Sequence, residues 1–282
     1  MGTFSNILGE NKKMQELEIN SFEEYREIVT EFGFHSWIYR GQNNYSYELN
    51  SSLYRTITTN EKIRSSTKVR KVNLVREKYE KEIITAFKNT CHIYISDLPN
   101  KTSTFDWLAL MQHYGTPTRL LDFSFSPYIA LYFAISGAKE DAAVYCINYK
   151  DIIKINKSSL SNLDDYYKNI LQTQKDINET ILVPFEPSFT NERLFAQQGV
   201  FLVPNSLNFS HHEILEKNYN DNYLKIKIGF NCFVDIISEL QKMNIKASSI
   251  YPGFEGFCKS FENIGILPIM QVRHLPNLIE DP

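Results

Sequence analysis

The run "WIYRGQ" (37–42) places an arginine, a glycine and an amide at the end of an apolar segment. Arg40 carries a rigid fork of donors that matches a phosphate or a carboxylate, and Gly41 lets a ligand approach the main chain closely. An arginine here serves equally well as the partner of an internal acid. A second stretch, "QHYGTPTRLLDFSFSP" (112–127), crowds Gln112, His113, Arg119, Asp122, Ser124 and Ser126 between two apolar segments, where a scaffold presents functional groups. Its alternatives are local and structural: Asp122 paired with Arg119, Ser126 capping the next helix, His113 simply packed. In a third stretch, "NERLFAQQGVFLVP" (191–204), Gln197 and Gln198 precede Gly199 and an apolar run, so two amides meet a backbone bend. Glutamine cannot act as a general base, which limits what this stretch supplies alone.

Other chemistries are disfavoured. Cys91, Cys146, Cys232 and Cys258 lie far apart and form neither a CxxC pair nor a metal-ligand spacing with histidine, so reduced thiols and no metal site are expected. The start, "MGTFSNILGENKK", has no basic segment leading into a long apolar one, and Asn6 stands where acylation of Gly2 wants Ser or Thr. No window approaches the roughly 18 apolar residues that span a bilayer. The expectation is a cytoplasmic protein without membrane contact. A net charge of −3 gives no whole-molecule field for nucleic acid. Between 61 and 82, however, Lys62, Arg64, Lys68, Arg70, Lys71, Arg76, Lys78 and Lys81 outnumber Glu61, Glu77, Glu80 and Glu82. That is either a solvated helix face or a footprint for a phosphate-rich partner.

The 282 residues, 43% of them hydrophobic, are ample for a packed core. Residues 1–20 are polar and expected to be mobile. "SFEEYREIVTEF" has a capping box at Ser21 and Glu24 and an apolar face of Phe22, Tyr25, Ile28 and Val29. "SWIYRG" alternates as a strand, with Trp37 and Tyr39 on one face and Ile38 and Arg40 on the other. Helical spacing recurs over 61–95 at Val72, Val75, Tyr79, Ile83 and Phe87. "FDWLALMQHYG" predicts a helix closed by Gly115, and "SPYIALYFAISG" a buried one opened by Ser126 and Pro127. "AAVYCIN", "TILVPFEP" (an edge) and "VFLVP" read as strands, and residues 150–180 as a helical or loop insertion. The last third alternates strand and helix. One α+β domain over 21–282 is the simplest organisation.

Taken in order, "WIYRGQ", "LMQHYGTPTRLLDFSFSPYIALYFA", "ERLFAQQGVF" and "IYPGFEGF" closely resemble the FRG domain family, named for its aromatic-Arg-Gly signature. The first two blocks also resemble the ADP-ribosyltransferase pattern. That resemblance implies a split β-sheet core with surrounding helices and NAD as cofactor, in a cleft between two small sheets. It also implies transfer of ADP-ribose to a macromolecular acceptor, protein or nucleic acid, in the setting of a bacterial toxin or phage-defence effector. It makes Arg40, with Gly41 and Gln42, the NAD-holding element. His113, Arg119, Asp122, Ser124, Ser126 and Phe133 become pocket residues. The glutamate that this superfamily uses against the ribose is replaced here by Gln197-Gln198-Gly199. Gln198 or Glu192 would then face the reacting ribose, with Glu255 as another acid. The alternative implied by the missing glutamate is a non-catalytic nucleotide-sensing or protein-binding module.

Overall fold

Alternating side chains build the sheet and assign its faces. In β4 (Ala142–Asn148), Ala142, Val144 and Cys146 join one layer of core while Tyr145 and Ile147 join another. In β2 (Trp37–Gln42), Tyr39 and Ile38 divide in the same way. The computed structural model describes residues 15–33, 35–66, 75–100, 103–159, 180–187 and 191–263. The remaining strands are β1 (Gln15–Ile19), β3 (Leu121–Ser124), β5 (Leu182–Phe185), β6 (Gly199–Pro204) and β7 (Tyr223–Ile228). All seven form one mixed sheet in the order β1-β7-β4-β2-β3-β6-β5. Only β1 and β7 run parallel; the other neighbours are antiparallel. Strand β5 is the expected edge, and it carries Pro184 where a central strand would lose a ladder bond.

Two expectations are corrected. The segment read as mobile contains β1, which pairs from Gln15↔Leu224 to Ile19↔Ile228, and residues 1–14 lie outside the described residues. The expected pair of small sheets is a single sheet with a seam. Strands β2 and β3 meet through one residue pair, Tyr39↔Ser124, whereas β2 pairs with β4 from Trp37↔Asn148 to Gln42↔Ala143.

The helices follow their local signals. Helix α1 (Phe22–Thr30) is capped by Ser21, whose Oγ accepts from the Glu24 N–H, while the Glu24 carboxylate takes the N–H of Asn20. Two helices, α2 (Ser52–Ser66) and α3 (Arg76–Thr90), cover the basic stretch; Lys68, Arg70, Lys71 and Val72 lie outside the described residues. Helix α4 (Thr104–His113) ends two residues before Gly115, whose φ is +79°. Helix α5 (Pro127–Ile135) starts on Ser126, which accepts from the Ile129 N–H, and on Pro127 at its first position. The insertion expected around 150–180 is described only as α6 (Tyr149–Ser159), since 160–179 lie outside the described residues.

Five further helices are α7 (Glu192–Ala196), α8 (His211–Asn218), α9 (Phe233–Lys242), α10 (Ala247–Ile250) and α11 (Phe254–Lys259). Helices α1, α5 and α9 bury one face of the β1-β7-β4-β2 half, and α6 and α8 cover the opposite face. Helix α4 packs Leu108 and Met111 against Phe201 and Val203 of β6. The seam therefore lies between the layer carried by α5 and the layer carried by α4.

Candidate functional site

Where β2 and β3 part, a cleft of about 490 Å³ opens. Its lining comes from the end of β2 (Arg40, Gly41, Gln42), β3 (Asp122, Ser124), α4 (Gln112, His113), α5 (Phe133), the start of α7 (Asn191, Arg193) and Tyr251 after α10. Arg40 follows the single β2/β3 pair directly. Its Nη1 donates to the Asp122 carbonyl at 2.7 Å, taking the place of a ladder bond that the splayed strands do not make. The Asp122 carboxylate is 3.9 Å away, longer than a hydrogen bond. The Nε–H of Arg40 is buried and has no hydrogen-bond partner among the described residues. Burial lowers the Arg40 pKa from its ordinary value; Asp122 opposes that shift and Arg55 adds to it.

The other polar groups are held in order by the fold. Gln112 Nε2 donates to Asp122 Oδ2 at 2.8 Å, and the Thr118 hydroxyl donates to the other end of the same amide, which fixes its orientation. Ser124 Oγ donates to the Gln197 carbonyl at 2.7 Å and accepts the Ser126 N–H at 3.0 Å, tying β3 to the turn before β6. Phe133 and Tyr251 meet edge to face with centroids 6.1 Å apart and form an aromatic wall. Arg193 lies over the Tyr251 ring, 4.9 Å from its centroid. His113 has its pKa lowered by burial, then by Arg193, with Glu255 pulling the other way.

Of the residues singled out from sequence, Arg40, Gly41, Gln42, His113, Asp122, Ser124 and Phe133 are brought together here. Four are not. Arg119 is 1% exposed and turned into the core, where it forms a bidentate pair with Glu80 of α3 and donates to the Pro204 carbonyl. It anchors the approach to β3 instead of facing a ligand. Ser126 is spent on capping α5. Glu192, the first residue of α7, is exposed and does not line the cleft. Gln198 is exposed in the turn before β6 with φ +47°, in the left-handed region, and does not line the cleft.

Gly41 has a different reason from the one its sequence suggests. A Cβ there would sit 2.1 Å from the Ala130 carbonyl oxygen and 2.4 Å from the Ala134 nitrogen, so glycine lets α5 lie directly on β2. Arg193 and Tyr251 were passed over although both fall within quoted blocks, "NERLFAQQG" and "IYPGFEGF". An arginine beside a helix cap and an aromatic before Pro-Gly are the only local signals they carry. Among the described residues no three His, Cys, Asp or Glu side chains converge as metal ligands, and no helix is long and apolar enough to cross a membrane.

The family model described as FRG domain matches residues 35–143. The chain carries an FRG domain. The matched span holds both "WIYRGQ" and the segment from α4 through α5, so the FRG domain supplies the seam, Arg40, Asp122 and the α5 wall of the cleft. The α7 and Tyr251 wall lies beyond the matched FRG span. No curated protein and no solved structure matches the chain significantly.

Proposed function

We propose that the cleft binds NAD and that the chain is an ADP-ribosyltransferase-like protein, transferring ADP-ribose to a macromolecular acceptor. The observation that carries this reading is Arg40, a half-buried cation, 20% exposed, set in a cleft whose walls include Phe133 and Tyr251. Its guanidinium lines the cleft, so an anion there can take the exposed donors that the Asp122 carbonyl does not use. The residues fit a dinucleotide: guanidinium groups for a pyrophosphate and an aromatic wall for a planar ring. When bound, NAD supplies an activated ADP-ribose with nicotinamide as leaving group.

In this reading Arg40 holds the phosphates, and Phe133 with Tyr251 flanks a ring and excludes water. Asp122 is the only acidic side chain among the residues lining the cleft. The part that the resemblance gives to a glutamate, stabilising positive charge on the ribose, therefore falls to Asp122 and not to Glu192 or Glu255. Gln112 holds that carboxylate in place. One observation favours a second reading, a non-catalytic nucleotide-binding module: the Asp122 carboxylate already accepts from Gln112 and lies near Arg40, so part of its charge is offset.

The test is calorimetric titration with NAD, followed by assays of nicotinamide release and of label transfer from NAD into cell extract. Binding with release, lost in Asp122→Asn while binding survives, supports the transferase. Binding without release or transfer supports the module. Absence of binding overturns both.

A further inference from the structure

The cleft holds a second guanidinium, that of Arg193. Arg193 enters the lining from α7, outside the sheet that presents Arg40. Its plane is supported by the Tyr251 ring at 4.9 Å, and Lys259 reaches the same ring at 5.0 Å. Among the described residues the Arg193 side chain makes no hydrogen bond, and its only carboxylate neighbour is Glu255 of α11, at 3.8 Å. Those two side chains are 39% and 50% exposed, which makes the pair a weak one in water. A stacked guanidinium is pre-oriented, and its unspent N–H donors match phosphate oxygens better than a distant carboxylate. The field of Arg193 already reaches across the cleft, since it disfavours the charged form of His113.

We infer that Arg193 is a second anion-binding arm of the cleft and that Glu255 is its resting partner, exchanged for a phosphate group when ligand enters. The inference rests on the reading that the cleft takes a phosphate-bearing ligand, and it narrows the class. The ligand carries at least two linked phosphates, one engaged by Arg40 at the seam and one by Arg193 at α7. A nucleoside monophosphate satisfies only one arm. Glu255 acts as a built-in competitor whose removal frees the arm.

The experiment is titration calorimetry of the full chain with NAD, ADP, AMP and inorganic pyrophosphate, for wild type, Glu255→Gln, Arg193→Gln and the double variant, with thermal melts as a folding control. Glu255→Gln should tighten binding of ADP, NAD and pyrophosphate by about three- to fivefold, the scale of an exposed ion pair. Arg193→Gln should weaken the same probes by about tenfold and leave AMP nearly unchanged. The double variant should match Arg193→Gln alone, because the two residues act through one contact. Unchanged affinity in Glu255→Gln, or an equal loss for AMP in Arg193→Gln, overturns the inference. If NAD binds while both α7 and α11 variants bind like wild type, only the second arm fails. If ADP and pyrophosphate follow the expected pattern while NAD does not bind, the NAD reading fails and the second arm stands.

Discussion

In the proposed reading Arg40 divides its donors between structure and ligand. Nη1 closes the gap at the seam, while Nε has no acceptor among the described residues. Lysine keeps the charge but cannot serve both directions at once, so Arg40→Lys should cost at least about tenfold in affinity for NAD, or about 1.4 kcal/mol. Wild-type affinity by calorimetry would make Arg40 purely structural. Arg119 shows the opposite case. The order Arg119, Asp122, Ser124 in one short string suggests a single cluster, yet a buried partner turns Arg119 away while Asp122 and Ser124 line the cleft. The partner, Glu80, lies on a different helix earlier in the chain, so no local pattern announces it. Removing one member leaves a buried charge unmatched: Glu80→Gln should lower unfolding free energy by about 3 kcal/mol. An unchanged urea midpoint would contradict that assignment.

At the scale of elements, the legible parts are those with local punctuation. Ser126 and Pro127 mark where α5 begins, Gly115 marks the turn after α4, and the continuous apolar run 142–147 marks a strand covered on both faces. What stays illegible is which elements touch. Gly41 reads as room for a ligand, but the backbone of α5 lies against it, from a segment far along the chain. Gly41→Ala drives a methyl into main-chain atoms that cannot rotate away. A loss of roughly 2 kcal/mol or more in chemical denaturation is expected, with a displaced α5 wall. The cleft itself is half legible for the same reason. Its sheet and α5 residues sit in dense polar strings, whereas Arg193 and Tyr251 arrive from segments whose approach to the seam depends on tertiary packing.

At the scale of the molecule, the buried histidine of α8 links the sheet to pH. His211 is 1% exposed, with Nε2 3.0 Å from the Leu202 carbonyl, and its pKa is held down to about 3. Burial is the main cause; Arg40 and Arg119 add to it and the Leu202 carbonyl opposes it. The unfolded chain takes up this proton near the ordinary value of about 6.5, and the folded chain refuses it until far lower pH. Stability should therefore fall as pH drops from about 6.5 towards 3, by at most about 1.4 kcal/mol per pH unit from this residue. His211→Gln, which keeps a donor for Leu202, should flatten that slope in pH-dependent denaturation; an equally steep profile would place the acid sensitivity elsewhere.

The pairing of β1 with β7 has a consequence for the newborn chain. Residues 15–19 leave the ribosome long before the strand they pair with, which ends at residue 228. Until that late stretch is synthesised, the first strand has no bonding partner and one flank of the growing sheet stays open. Final closure of the fold is thus a long-range, slow event, set by the arrival of the last strand and independent of how quickly the helices form.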